Sequence, residues 1–217
     1  MFFFHSLDRS DSPYHLDTLN TLYDMLEEGK IRSITGLNFP SNVLEEAKQN
    51  GFVLDSNQLT CNVIDQRYLN HNDCKYLYSN PLLSGILTEA YFYKNHEPSL
   101  FDLSFSQRKN LDNIRRWGKS IQVNQPTPSW SLFHKYILST IYDISNQYDV
   151  SMSSVALRYI MQKSNKSLGS MVVGSKVGAS EKWWRQNRCS QFREVFGFEL
   201  EKATMEHLDE VSRLGSL

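Results

Sequence analysis

The sequence predicts an α/β fold built on a parallel sheet. Three observations point there. Short apolar or β-branched runs alternate with stretches of helical period along 217 residues. Glycines close the helical stretches, as at Gly29 and Gly51. Strands separated by helices pair in parallel through right-handed crossovers. The length suits a single domain over residues 1–217, and neither a short-period repeat nor a low-complexity tract divides it.

Phe2–Phe4 is a short aromatic run followed by Asp8, Ser10, Asp11, Ser12 and Pro13, which reads as a buried strand feeding a loop. In "YHLDTLNTLYDMLEEGK", Leu16, Leu19, Leu22, Tyr23 and Leu26 fall at helical spacing before the Gly29 stop. "IRSITGLNF" is a second strand. "SNVLEEAKQNG" is a short helix with Ser41 or Asn42 as its cap and Gly51 as its stop. A third strand is expected around Asn57–Asn62, and a fourth in "KYLYSNPLL", ended by Pro81. Roughly Ser84–Ser129 reads as a long irregular insertion, carrying Pro98, Gly118, Pro126 and Pro128. Two helices follow, one with Leu132, Phe133, Tyr136, Ile137, Ile141 and Ile144 on one face, the next capped by Ser151. "GSMVVGS" is a last strand, and "SEKWWRQNRCSQFREV" and "KATMEHLDEVSRL" are two further helices.

Composition narrows the function classes. A net charge of −1 offers no electrostatic basis for binding nucleic acid or an anionic membrane. No apolar run approaches the ~18–20 residues of a membrane helix. Cys61, Cys74 and Cys189 are too few and too widely spaced for a disulfide framework, which fits a reducing, cytoplasmic setting.

Five collinear stretches resemble the aldo-keto reductase family. They are "LYDMLEEGKIRSITGLNF", "SNQLTCNVID", "YSNPLLSGILTEAYF", "VSMSSVALRYIMQ" and "MVVGSK…QN…FGFEL". The resemblance covers most of residues 1–213 in the family's order. It implies a TIM (β/α)8-type barrel, here incomplete with about five parallel strands and the N-terminal strands absent. It also implies hydride transfer between NADP(H) and a small-molecule aldehyde or ketone. His5 matches the family's active-site histidine, a group able to polarise the substrate carbonyl. Asn38 and Gln58 match amides that hold the nicotinamide carboxamide, each able to donate and accept. Tyr78 matches the aromatic that stacks on the nicotinamide ring. Gly174, Ser175 and Lys176 match the phosphate-contacting loop, and Asn187 an adenine-side contact.

The chain departs from the family pattern in several places. The family's catalytic aspartate, tyrosine and lysine lie upstream of its histidine, so only His5 has a counterpart within residues 1–217. Loss of a general acid is typically worth ~100- to 10,000-fold in rate, so impaired turnover is expected. Only "QRYLNHNDC" joins the third and fourth strands, which leaves their helix lost or reduced to one turn. Leu37 stands where the family usually has serine, and "YSNPL" carries one residue more than "YSPL". Five strands do not close a barrel, so exposed sheet edges and a homo-oligomer are expected. The alternative is a truncated, non-catalytic homologue that binds cofactor or another protein.

Each site residue also has a plainer reading. His5 can be a core or loop histidine, Asn38 and Gln58 buried amides satisfying backbone groups, and Tyr78 core. Lys176 and Arg185 can be solvated surface charge. Tyr91, Phe92, Tyr93, Phe101 and Phe105 in the insertion form either a lid or a self-packed surface loop.

Overall fold

The computed structural model describes residues 2–5, 14–69, 74–94, 96–121, 127–164, 168–173 and 192–215. They fall into two compact units, Met1–Thr60 with Arg67–Ser79 and Ser164–Val172, and Cys61–Gln66 with Asn80–Lys163 and Val173–Leu217.

The first unit carries the sheet. Its strands are β1 (Phe2–His5), β2 (Ile34–Leu37), β3 (Ser56–Thr60), β4 (Lys75–Ser79) and β5 (Leu168–Val172). They pair in chain order and every pair is parallel. The five strands are those the sequence predicts, and the barrel they belong to is partial. Parallel pairing makes each register partner share a face, and alternation along a strand then sorts the residues into two faces. One face presents Ile34, Asn57, Leu59, Tyr76 and Tyr78, all buried. The other presents Thr35, Leu37, Ser56, Gln58, Thr60, Lys75, Leu77 and Ser79. Ile34 on the first face packs with Leu19 and Leu22 of α1 (Tyr14–Glu27) and with Val43, Leu44 and Ala47 of α2 (Ser41–Gln49). Burying such aliphatic side chains contributes ~1.5–3 kcal/mol each, so this cluster fixes which face of the sheet the helices cover.

Both helices end as their glycines demand. Gly29 (φ 73°) donates to the Leu26 carbonyl and Lys30 to Met25; Gly51 (φ 88°) donates to Lys48 and Phe52 to Ala47. These are Schellman closures, in which the left-handed residue satisfies carbonyls that the helix leaves open. The start of α2 differs from expectation. Pro40 is the N-cap, with no side-chain cap bond, and its carbonyl accepts from the N–H groups of Val43 and Leu44. β3 also ends earlier than expected, at Thr60. Beyond it, Asn62 Oδ1 accepts from the backbone of Ile64 and Asp65, both at 3.1 Å, and turns the chain. Between β3 and β4 the described residues hold turns and one isolated antiparallel bridge, Asn62–Asp65, in keeping with the short connection.

The second unit is helical: α3 (Glu89–Phe92), α4 (Phe105–Ile121), α5 (Ser129–Phe133), α6 (Ser139–Tyr148), α7 (Met152–Lys163) and α8 (Lys202–Arg213). A π-turn at His134–Leu138 joins α5 to α6 without a break, a feature no residue pattern announces. The stretch expected to be irregular contains the 17-residue α4. Its apolar stripe is narrow (Leu111, Ile114 and Trp117 are buried) within a charged sequence, so periodicity alone missed it. A readable signal was present. Ser104 and Gln107 form a reciprocal capping box, with Gln107 Oε1 accepting from the Ser104 N–H at 3.0 Å and Ser104 Oγ from the Gln107 N–H at 3.4 Å. Gly118 lets α4 approach α5: a Cβ there would lie 2.4 Å from Ser129 Cβ. Ser151 caps α7 as expected, accepting from the Ser154 N–H at 3.2 Å. No helix among the described residues is long and apolar enough to cross a membrane.

Candidate functional site

In parallel α/β sheets, loops at the carboxyl ends of the strands carry the chemistry. Here that end is organised by one row. His5 pairs with Leu37, Leu37 with Gln58, Gln58 with Leu77, and Leu77 with Ser170. The backbone therefore sets His5 and Gln58 two strands apart, ~10 Å at the usual strand spacing.

Asn38 follows β2 directly. Its φ of 60° is left-handed, and its N–H donates to the Gln58 carbonyl at 2.9 Å. Asparagine tolerates that region better than most residues, because its short polar side chain supports it locally. The turn leaves the Asn38 side chain exposed, while Gln58 is half-buried. Neither side-chain amide makes a hydrogen bond among the described residues. A half-buried amide without a protein partner needs water or a ligand. That is the property a carboxamide-binding pair requires.

Three hydroxyls on this face have protein partners. Thr35 Oγ1 and Ser56 Oγ lie 2.8 Å apart in the row beneath, both buried. Ser79 Oγ donates to the Leu59 carbonyl at 3.2 Å. These bonds stiffen the floor beneath the Gln58 amide.

Tyr78 is not brought to this face. Its register partner is Leu59, so it shares the opposite face with Tyr76. Its ring is 0% exposed, lies parallel to that of Tyr76 at 6.1 Å, and its hydroxyl donates to the Tyr68 carbonyl at 3.1 Å. The β4 residues that flank Tyr78 and share the Gln58 face are Leu77, the register partner of Gln58, and Ser79, the partner of Thr60. Strand register sets this facing, because a shift of one position exchanges the two faces. Gly174, Ser175, Lys176 and Asn187 lie outside the described residues, as does the side chain of His5.

The second unit holds a separate titratable cluster. Asp209 on α8 accepts hydrogen bonds from Tyr159 and Lys163 on α7. Gln66 Nε2 donates to Tyr159 Oη at 2.9 Å and to Ser212 Oγ at 3.0 Å. Burial, then the Asp209 hydrogen bond, pushes the Tyr159 hydroxyl well above its usual range. Burial opposes ionisation of Asp209, but the hydrogen bonds from Lys163 and Tyr159 outweigh it and hold the carboxyl below its ordinary range. A buried tyrosine that is harder to ionise is a clamp between helices, opposite in character to an acid tuned to release its proton. Cys61 is buried as well, and desolvation with the nearby Asp65 charge pushes its thiol up, so it is no nucleophile. No cluster of metal-ligating side chains occurs among the described residues.

Residues 1–213 match the model of the aldo/keto reductase family. A search among curated proteins found no match. Among solved structures, the chain is similar to the thermostable aldo-keto reductase Tm1743 (14% identity, TM-score 0.60, 96% of this chain and 58% of that one). It is similar to an aldo/keto reductase from Brucella melitensis (15% identity, TM-score 0.58, 96% and 59%). It is also similar to a mutant of Gox0644 in complex with NADPH (17% identity, TM-score 0.55, 90% and 52%). These structural likenesses show the fold, and the chain spans between 52% and 59% of those proteins. With the family model covering nearly the whole sequence, the chain belongs to the aldo/keto reductase family.

Proposed function

We propose that this chain binds NADP(H) at the carboxyl end of β1–β4 and serves the reduction of a small aldehyde or ketone. The observation that supports it is the pair of unspent amides, Asn38 and Gln58, tied together through the Asn38 N–H and the Gln58 carbonyl. A carboxamide offers one acceptor and two donors, and two such side chains match it reciprocally. When bound, NADPH supplies a hydride to the carbonyl carbon. Asn38 and Gln58 orient the ring by its carboxamide. His5, in the same row, meets the carbonyl oxygen and donates a hydrogen bond or a proton to it. The phosphates fall to Gly174, Ser175 and Lys176 and the adenine side to Asn187, on the family pattern.

Within residues 1–217 only His5 matches the family's catalytic set. The reading for this chain is cofactor binding and carbonyl reduction assisted by His5 in a cytoplasmic setting, and a homo-oligomer through the sheet edges. Titrating the protein into NADPH and following the cofactor's fluorescence tests the first part. Carbonyl-dependent oxidation of bound NADPH tests the second. Saturable binding with carbonyl-dependent oxidation that His5→Ala weakens is expected. Binding with no oxidation of any aldehyde or ketone identifies a non-catalytic cofactor-binding homologue. Failure to bind NADPH overturns the proposal.

A further inference from the structure

We infer that the ring seated at Gln58 rests on two leucines, Leu37 and Leu77, in place of an aromatic platform; the inference rests on the cofactor reading above. Leu37 and Leu77 are the register partners of Gln58 on its two sides, so all three side chains rise from the same face in one row. Both leucines are half-buried, as Gln58 is, and each keeps apolar surface available. At ~4.8 Å between strands the two leucines stand ~10 Å apart, with the amide between them.

The chemistry of the row is a hydrogen-bonding group flanked by aliphatic surface. A planar ring bearing a carboxamide satisfies both parts at once. Its amide pairs with Gln58 and Asn38, and its faces and edges cover the leucine methyls. The tyrosine that would otherwise act as a platform is unavailable. Tyr78 lies on the opposite face, fully buried, with its hydroxyl bonded to Tyr68 and its ring beside Tyr76. Exposing it to a ligand on the Gln58 face would require β4 to slip by one residue, which would turn Leu77 and Ser79 into the helix-covered core and Tyr76 and Tyr78 out of it. Among the described side chains that β2, β3 and β4 place on the Gln58 face (Thr35, Leu37, Ser56, Gln58, Thr60, Lys75, Leu77 and Ser79) none is aromatic.

An aliphatic floor has a distinct signature. It offers dispersion and desolvation, but no π-system to donate charge to an oxidised nicotinamide. NADP+ bound to the wild-type protein should therefore show no long-wavelength charge-transfer absorbance, and Leu77→Tyr should create one. Leu37→Ala and Leu77→Ala should each weaken NADPH binding about 3- to 15-fold, the range for losing part of a half-buried leucine contact, with thermal unfolding followed on the same samples. A charge-transfer band in the wild-type complex would overturn the inference, because it reports an aromatic platform. Unchanged NADPH affinity in both alanine variants, alongside weakened binding in Gln58→Ala, would overturn it as well. Absence of NADPH binding by the wild-type protein is a different result: it removes the cofactor reading itself.

Discussion

The backbone N–H of Asn38 donates to the carbonyl of Gln58 at 2.9 Å, and the residue making that bond has φ 60°. One bond thus joins the end of β2 to β3 and holds two side-chain amides at the same edge. The backbone cost and the ligand role are separable by substitution. Asn38→Val places a β-branched side chain in the left-handed region, which costs about 1–2 kcal/mol; urea unfolding should show that loss. Asn38→Gly accepts the conformation, so its stability should stay within about 0.5 kcal/mol of the parent, while NADPH binding weakens.

Gln58 tests the amide directly. Because its side chain has no hydrogen-bond partner among the described residues, Gln58→Ala removes little native structure. A hydrogen bond to a ligand is worth about 0.5–1.5 kcal/mol net, so NADPH affinity should fall about 2- to 12-fold with the melting temperature nearly unchanged. Isothermal titration and a thermal scan on one preparation report both quantities.

Gly118 measures the helix contact in the second unit. A Cβ at this position would lie 2.4 Å from Ser129 Cβ and 2.7 Å from Ser129 Cα, so backbone has to move. Gly118→Ala should destabilise the protein by about 1–3 kcal/mol, as overpacking does, despite alanine's better helix propensity. Chemical denaturation gives the sign: a more stable variant would mean that α4 and α5 are not in this contact.

Asp209 sets a pH dependence. Its carboxyl is held below the ordinary range in the folded protein, so its contribution to stability is complete above the unfolded-state value of about 3.9 and is lost as pH falls through the lower folded value. Stability should therefore drop on the acid side of pH ~4, and Asp209→Asn should lack that part of the drop. Asp209→Ala at neutral pH leaves Lys163 and the Tyr159 hydroxyl without their shared acceptor. About 1–3 kcal/mol is the expected loss, read by urea unfolding across a pH series.

Element order was open to reading in the sequence because it depends on local rules. Helical spacing in Leu19, Leu22 and Leu26, left-handed glycines at 29 and 51, and the Ser151 cap each act within a few residues, and each is found in the structure. The same local rules reached too far where polar residues hid a stripe. α4 carries its buried Leu111, Ile114 and Trp117 in a charged stretch, and its Ser104–Gln107 capping box was the signal to use.

Which residue types are available for the site is likewise written in the chain: an asparagine and a glutamine at the ends of two strands, and a tyrosine near the end of a third. Their facing is not. Whether Tyr78 stands beside Gln58 or behind it turns on strand register, and a shift of one residue reverses the answer. Register is decided by the burial of Tyr76, Tyr78, Asn57 and Ile34 on one side of the sheet, contacts between residues far apart in sequence. The sequence by itself determined the five strands, the helices with a plain apolar stripe and the residue types at the strand ends. Tertiary structure alone decided that the tyrosines belong to the core and the leucines to the open face, because only the assembled sheet has two sides to choose between.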